Sequence, residues 1–204
     1  MDTGKLWKRL TISSLALVLI MLCGIIVVYY WSSTTVVLLV RHAERNDAIA
    51  CTAVDTACVL PNSSPANPVL SVAGETRAAT LAHVGEDAGL QTIYASCFCR
   101  TQQTVQPIAT NLGLAVKNVS QHAADGSPDV DALVTQIKTD NDGQRVLVAG
   151  HSDTVPLIIE KLGGGTIDPI TGSEFDNLYV VTIVKWWFLK KRVRVVRLKY
   201  GVPT

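Results

Sequence analysis

No charged residue stands between Leu10 and Trp31, where the chain reads LTISSLALVLIMLCGIIVVYYW. Net charge is scarce everywhere else too: 18 Lys and Arg against 17 Asp and Glu leave a formal +1 over 204 residues. That balance argues against a nucleic-acid partner, whose phosphates call for a cationic excess. There is no low-complexity tract and no internal repeat, so nothing calls for a repeat array. No paired CxxC spacing is present, and a zinc site is not expected. The stretch GHSDT at 150–154 has Thr154 where G-x-S-x-G needs its second glycine, which sets a serine nucleophile elbow aside. The triple glycine Gly163 to Gly165 follows a helical pattern and not a strand, so it reads as a helix stop instead of a phosphate cradle.

The uncharged stretch covers 22 positions, enough to cross a bilayer core as a helix at ~1.5 Å per residue. Lys5, Lys8 and Arg9 precede it, and Tyr29, Tyr30 and Trp31 close it like an interfacial aromatic belt. The exit VVYYWSS lacks the small-x-small site of a cleaved signal peptide. Leu22 stands where a lipoprotein site at Cys23 wants a small residue. The expectation is an uncleaved signal anchor over 10–31. Residues 1–9 would be a cytoplasmic basic N-terminus, and the rest of the chain would lie outside the cytoplasm, in a periplasm if the cell has one.

Four cysteines lie beyond that stretch: Cys51, Cys58, Cys97 and Cys99. An even number in an oxidising compartment permits two disulfides in three pairings. Cys51 and Cys58 share a polar loop and could bridge locally. Cys97 and Cys99 share a strand-end turn, where a bond between them would be strained. A cross-pairing and four free thiols are the other arrangements.

Hydrophobic periodicity organises residues 35–204 as one domain. A β-branched run at Thr35 to Val40 reads as a buried parallel strand after a short spacer, Ser32 to Thr34. Residues 46–70, rich in Ala, Asn, Pro and Ser, read as a long excursion loop. A helix is expected from about Val72, with Ser71 as N-cap and Gly89 as terminator. Then come strand 91–96, a helix from near Arg100 to Gly113, strand 115–119, helix 129–140, strand 144–150 and helix 154–165. The tail holds two strands, LYVVTIV and RVRVVRLKY, as an antiparallel hairpin. Arg192, Arg194 and Arg197 alternate with apolar residues there, as on an edge strand with one wet, basic face; contact of Trp186 and Trp187 with anionic lipid is the other reading. Strands alternating with helices give the expected fold class: an α/β, three-layer α/β/α sandwich with a mostly parallel sheet, preceded by one N-terminal transmembrane helix.

In such sheets ligands bind at the carboxyl ends of strands. Those ends carry Arg41 and His42, then Arg100, then His151. Arginines are forked, permanently charged donors that match phosphate oxygens. One histidine can act as nucleophile while a second donates to the phosphoryl group. Cations spread around three equatorial oxygens stabilise a metaphosphate-like transition state, so neither a metal nor another cofactor is called for.

The ordered set LLVRHAER (38–45), LSVAGETRA (70–78), YASCFCRTQQTVQPIA (94–109) and VLVAGHSDTVPLII (146–159) resembles the histidine phosphatase (phosphoglycerate mutase-like) superfamily. The resemblance spans roughly residues 35 to 201. It implies a phosphohydrolase in which His42 is the nucleophile that becomes phosphorylated, while Arg41, Arg100 and His151 bind the transferring group. Glu44 would support His42 or its loop. Arg45 and Asp153 are candidate substrate contacts. Two departures stand out. Cys97 and Cys99 flank Phe98 where the family often has proline, and Ser152 follows His151 where one branch has its proton-donating aspartate. The general acid is therefore open among Asp153, Asp125, Asp129, Asp131 and none; Asp153 also reads as a helix N-terminal carboxylate. His83 and His122 read as ordinary histidines.

The location implies a phosphorylated small molecule, glycan or lipid as substrate. The runner-up function is a phosphate-recognition module of the same fold without turnover. A mutase is a third reading, which an extracytoplasmic location disfavours.

Overall fold

The computed structural model describes residues 14, 16–25, 32–51, 60, 67–186 and 189–204. Eight strands follow in chain order: β1 (Ser32–Arg41), β2 (Arg45–Ala50), β3 (Pro68–Leu70), β4 (Thr92–Ala95), β5 (Val116–Asn118), β6 (Arg145–Gly150), β7 (Asn177–Trp186) and β8 (Leu189–Lys199). Four helices are interleaved: α1 (Val72–Gly85), α2 (Cys99–Leu112), α3 (Asp131–Thr139) and α4 (Thr154–Ile159), the last running into a π turn over Glu160–Gly164. Six strands make the main sheet in the order β5-β4-β6-β1-β7-β8, and β2 pairs with β3 apart from it. The β4–β5, β4–β6 and β1–β6 pairs are parallel, whereas β1–β7 and β7–β8 are antiparallel.

Three layers follow from side-chain alternation. In β1, Val37 and Leu39 face one side with α3 and α4, packing on Leu133, Ile137, Val155 and Ile158. Val40 faces the other side with α1 and α2, among Leu81, Val105 and Ile108. β6 divides the same way: Val146 and Val148 against Leu147 and Ala149. Such period-two alternation, apolar on both faces, is what a strand covered by helices on both sides requires. The expected sandwich and edge hairpin are thus both present.

Three boundaries differ from expectation. β1 starts at Ser32, because Ser32 to Thr34 pair with Trp186 to Val184; there is no free spacer. The first part of the expected excursion loop is strand β2, with Arg45 opposite Leu70 and Ala50 opposite Pro68. α1 ends at Gly85, and Gly89, at φ 63°, lies in the turn beyond it. Ser71 caps α1 as expected, its hydroxyl accepting from the Gly74 N–H. Gly74 is also where the helix meets the loop after β1: a Cβ there would overlap the Glu44 carbonyl.

Of the expected anchor, residues 16–25 are helical and exposed, while 10–13, 15 and 26–31 lie outside the described residues. Among the described residues no helix is long and apolar enough to cross a membrane. A disulfide joins Cys51 to Cys99, Cα atoms 6.3 Å apart across 48 residues, so neither local bond forms and the cross-pairing holds. Cys97 is disulfide-bonded as well. Its partner lies outside the described residues, as does Cys58.

Candidate active site

A cavity of about 360 Å³ opens at the carboxyl ends of the four parallel strands, lined by Arg41, His42, Arg45, Phe98, Arg100, His122, Gly126, His151, Ser152 and Asp153. Each parallel strand delivers part of it: β1 supplies Arg41 and His42, β4 leads to Phe98 and Arg100, β6 to His151 and Asp153, and β5 to His122. All six site residues expected from the sequence therefore meet in one place.

His42 is fixed at both ends. Its backbone N–H donates to the Gly150 carbonyl at 2.9 Å, which ties it to the end of β6. Its Nδ1 lies 2.8 Å from the Ala43 carbonyl oxygen. A carbonyl only accepts, so Nδ1 carries the proton and the lone pair is left on Nε2. Burial, with the positive charges of Arg100 and Arg41 next to it, depresses the His42 pKa to about 3. The imidazole is neutral and nucleophilic at any physiological pH.

His151 is held by a relay of hydroxyls. Its Nε2 lies 2.8 Å from Ser96 Oγ, which is 2.8 Å from Thr101 Oγ1, which in turn donates to the Phe98 carbonyl. The other nitrogen, Nδ1, is 3.4 Å from Arg100 Nη2. A guanidinium only donates, so Nδ1 is the accepting nitrogen and Nε2–H donates to Ser96. Burial first, then His42 and Arg100, push the His151 pKa well down. Neither Ser96 nor Thr101 was expected at the site; a hydroxyl beside a strand end carries no sequence signal of its own.

The arginines are held without carboxylates. Arg41 Nη1 donates to the carbonyls of Thr171, Gly172 and Glu174 at 2.8, 2.9 and 3.1 Å, and its guanidinium lies 4.1 Å from the Phe175 ring centre. Arg100 stacks at 4.0 Å on Phe98, the residue in the position that is often proline in the resembling family. Both Nε atoms are buried without a partner. Burial, together with Arg45 and Arg41, lowers the Arg100 pKa to about 10, still charged at neutral pH. Two buried guanidinium groups with orphaned donors, and no ion pair to either among the described residues, form a site poised for an anion. Arg45 is half-exposed at the rim and pairs with Asp47 at 2.8 Å.

Glu44 points away from this chemistry. It takes a forked pair of bonds from Arg77, Nε to Oε2 at 2.9 Å and Nη2 to Oε1 at 2.7 Å, and Arg77 also donates to the Tyr200 and Val202 carbonyls. Its part is to tie the loop after β1 to α1 and the C-terminal segment. Burial raises the Glu44 pKa, but the Arg77 bonds outweigh it and hold the carboxylate below its usual range.

The acid candidates separate clearly. Asp125, Asp129 and Asp131 are exposed; Asp125 accepts from Ser127, Asp129 from the Asp131 N–H, and Asp131 pairs with Lys161. None lines the cavity. Asp153 does: it stands at the N-cap position of α4, as a helix N-terminal carboxylate, but its side chain makes no cap bond and takes His122 Nε2 at 3.1 Å. Burial raises the Asp153 pKa, and the His122 contacts more than reverse that. His122 is thus no ordinary surface histidine. Its side chain is only 10% exposed, its ring lies 5.0 Å from that of His151 and 6.0 Å from Phe98, and its Nδ1 is buried without a partner. The strand-end rule that found the other residues applies to it as well: it follows β5 by four residues. Among the described residues, no cluster of three or more His, Cys, Asp or Glu has the geometry to hold a metal.

Residues 37–121 match the family model for the histidine phosphatase superfamily (branch 1). No curated protein matches the sequence. Solved structures share the fold at low identity. The protein histidine phosphatase SixA complexed with tungstate is 15% identical, with a TM-score of 0.54 over 80% of this chain and 96% of its own. A mycobacterial glucosyl-3-phosphoglycerate phosphatase in complex with VO3 is 15% identical, with a TM-score of 0.53 over 81% and 99%. A mycobacterial protein named hydrolase 2 is 12% identical, with a TM-score of 0.51 over 84% and 94%.

Proposed function

We propose that this chain is a metal-independent phosphohydrolase of the histidine phosphatase superfamily, working through a phosphohistidine on His42; the family model matched over residues 37–121 supports this reading, and the fold shared with solved phosphatases agrees with it. The observation that carries this is the pairing of a neutral, oriented histidine with two buried guanidinium groups that make no ion pair among the described residues. A phosphoryl dianion supplies their counter-charge. Arg41 and Arg100 clamp its oxygens, and His42 Nε2, left with its lone pair by the Ala43 bond, attacks phosphorus in line. His151 accepts from Arg100 at Nδ1 and so helps to hold that guanidinium in the cavity. Water then cleaves the N–P bond and releases phosphate. The complexes of two fold neighbours with tungstate and VO3, both oxyanions, agree with an anion at such a site.

The anchor and the extracytoplasmic location belong to the same proposal, with 1–9 cytoplasmic, 10–31 in the membrane and 35–204 outside. Two features support them. The domain carries disulfides, as oxidising compartments allow. The chain also enters β1 at Ser32, paired with Trp186, and reaches the cavity nine residues later at Arg41. At ~3.3 Å per residue the cavity lies roughly 30 Å from the point of entry. Lys138, Lys161, Lys185 and Lys191 gather at the entry end and depress the Lys138 pKa after burial. A site held that far from the headgroups suits a phosphorylated small molecule or glycan better than a lipid headgroup.

The deciding experiment measures phosphate release by the full chain in detergent, without added metal, beside His42→Ala. Release in the first and a loss of at least 10³-fold in the second is the expected result, with acid-labile phosphate trapped on His42. Phosphate binding with no turnover by the unaltered chain would make the protein a recognition module instead.

A further inference from the structure

His122 and Asp153 form a dyad that the phosphoryl-binding residues do not need. Asp153 Oδ2 takes one imidazole nitrogen, Nε2, at 3.1 Å, while the other, Nδ1, is buried with nothing to bond. An imidazole oriented by a carboxylate at one nitrogen and free at the other is the arrangement of a proton-transfer residue. Its place fits too. The His42 and His122 rings both lie against His151, at 5.4 and 5.0 Å, yet make no ring contact with each other among the described residues. Both rings line the same cavity of about 360 Å³. The residue before it is locked: Gln121, 1% exposed, donates from Nε2 to the Ala149 carbonyl and accepts from the Thr154 hydroxyl. The loop from β5 is thereby pinned to the end of β6 that carries His151. Among the described residues, the titratable groups shown against the ring are Asp153 and His151, and Arg100 lines the same cavity.

We propose that His122 is the general acid that protonates the leaving oxygen, with Asp153 as its positioning residue, and that the substrate class is therefore a phosphate monoester of an unactivated alcohol. This rests on the phosphohydrolase reading above and completes it. As His42 Nε2 bonds to phosphorus, the bond to the leaving oxygen breaks, and the His122 Nδ1 proton passes to that oxygen, which departs as a neutral alcohol. His122 is then a neutral base. It takes a proton from the attacking water as the N–P bond breaks, which returns His42 with its lone pair, inorganic phosphate and a protonated His122. A phosphoanhydride has a leaving group that departs as a stable anion and needs no such proton, so a dyad of this kind would serve it little.

The test compares the full chain in detergent with His122→Asn and Asp153→Asn on two substrates, p-nitrophenyl phosphate and glycerol phosphate, with the pre-steady-state burst of p-nitrophenolate as a third readout. General acid catalysis contributes ~10²–10⁴-fold where the leaving group needs it. The expected result for His122→Asn is a fall of at least 10²-fold in kcat/KM on glycerol phosphate. Its p-nitrophenolate burst should stay within fivefold, followed by slow turnover and accumulated phosphoenzyme, because water has lost its base. Asp153→Asn should show the same selectivity at roughly a tenth of the size. The intact burst is the folding control. Equal losses on both substrates, or no loss on glycerol phosphate, would overturn the assignment while leaving the phosphohydrolase standing. No phosphate release from either substrate by the unaltered chain would overturn both.

Discussion

At the scale of the residue, His42 is a histidine that the fold keeps uncharged. Burial and the Arg100 charge hold its pKa at about 3, against about 6.5 in an unfolded chain. Between those values the unfolded chain takes up a proton that the native protein refuses. Native stability contributed by this residue is therefore present above pH ~6.5 and is lost as pH falls towards ~3. His151 is depressed in the same sense. Urea midpoints measured from pH 7 to pH 4 should fall, with a slope of up to ~1.4 kcal/mol per pH unit for each such histidine. His42→Asn should make that fall visibly shallower, and an identical slope in the variant would refute the account. The proposed role of His42 as nucleophile gains from the same environment, since a neutral imidazole needs no deprotonation before attack.

At the scale of the element, the start of α2 is what brings Arg100 to the cavity. Phe98 occupies the N-cap position but offers no side-chain bond. The cap comes instead from Asn67, whose Oδ1 accepts from the Cys99 N–H at 2.9 Å and whose carbonyl accepts from the Cys51 N–H at 2.8 Å. The Cys51–Cys99 bond closes the same corner. Replacing both cysteines, Cys51→Ala with Cys99→Ala, should cost about 2–4 kcal/mol, as expected for a closed loop of this length. It should also weaken phosphate binding, because the turn that aims Arg100 would loosen. A melting temperature unchanged in the double variant would sink this view of the corner. On the opposite flank, the Glu44–Arg77 fork and the close approach of Gly74 to Glu44 do the same for the loop after β1.

At the scale of the whole molecule, β1 runs from the end where the proposed anchor would join the domain to the cavity at the other. Its first residue stands beside Trp186 at one end of the sheet, and its last is Arg41 at the other. With the anchor proposed for 10–31, the cavity faces away from the bilayer. Expressed in a bacterium with a periplasm, the full chain should pellet with membranes, resist carbonate extraction and be digested by protease added to spheroplasts. Recovery in the soluble fraction, or protection from that protease, would overturn the proposed topology.

The strands and helices of the sandwich were legible because apolar alternation and helical periodicity are local properties of the chain, and Ser71 before Val72 announced its own cap. Arg41, His42, Arg100 and His151 were legible for a related reason: each ends or closely follows an apolar strand, and parallel sheets gather such ends into one crevice. Arg45 and Asp153 were legible by adjacency to them. His122 was not, because the strand before it is only three residues long with Lys117 at its centre and its partner Asp153 is 31 residues away. The hydroxyl relay through Ser96 and Thr101, the Phe175 stack on Arg41, the Cys51–Cys99 pairing and the fate of Glu44 were likewise decided only in three dimensions. Residue type and order along the chain set which chemistry is available. Which nitrogen holds a proton, which carboxylate is spent on an arginine and which cysteine meets which depend on distances between segments that only packing brings together.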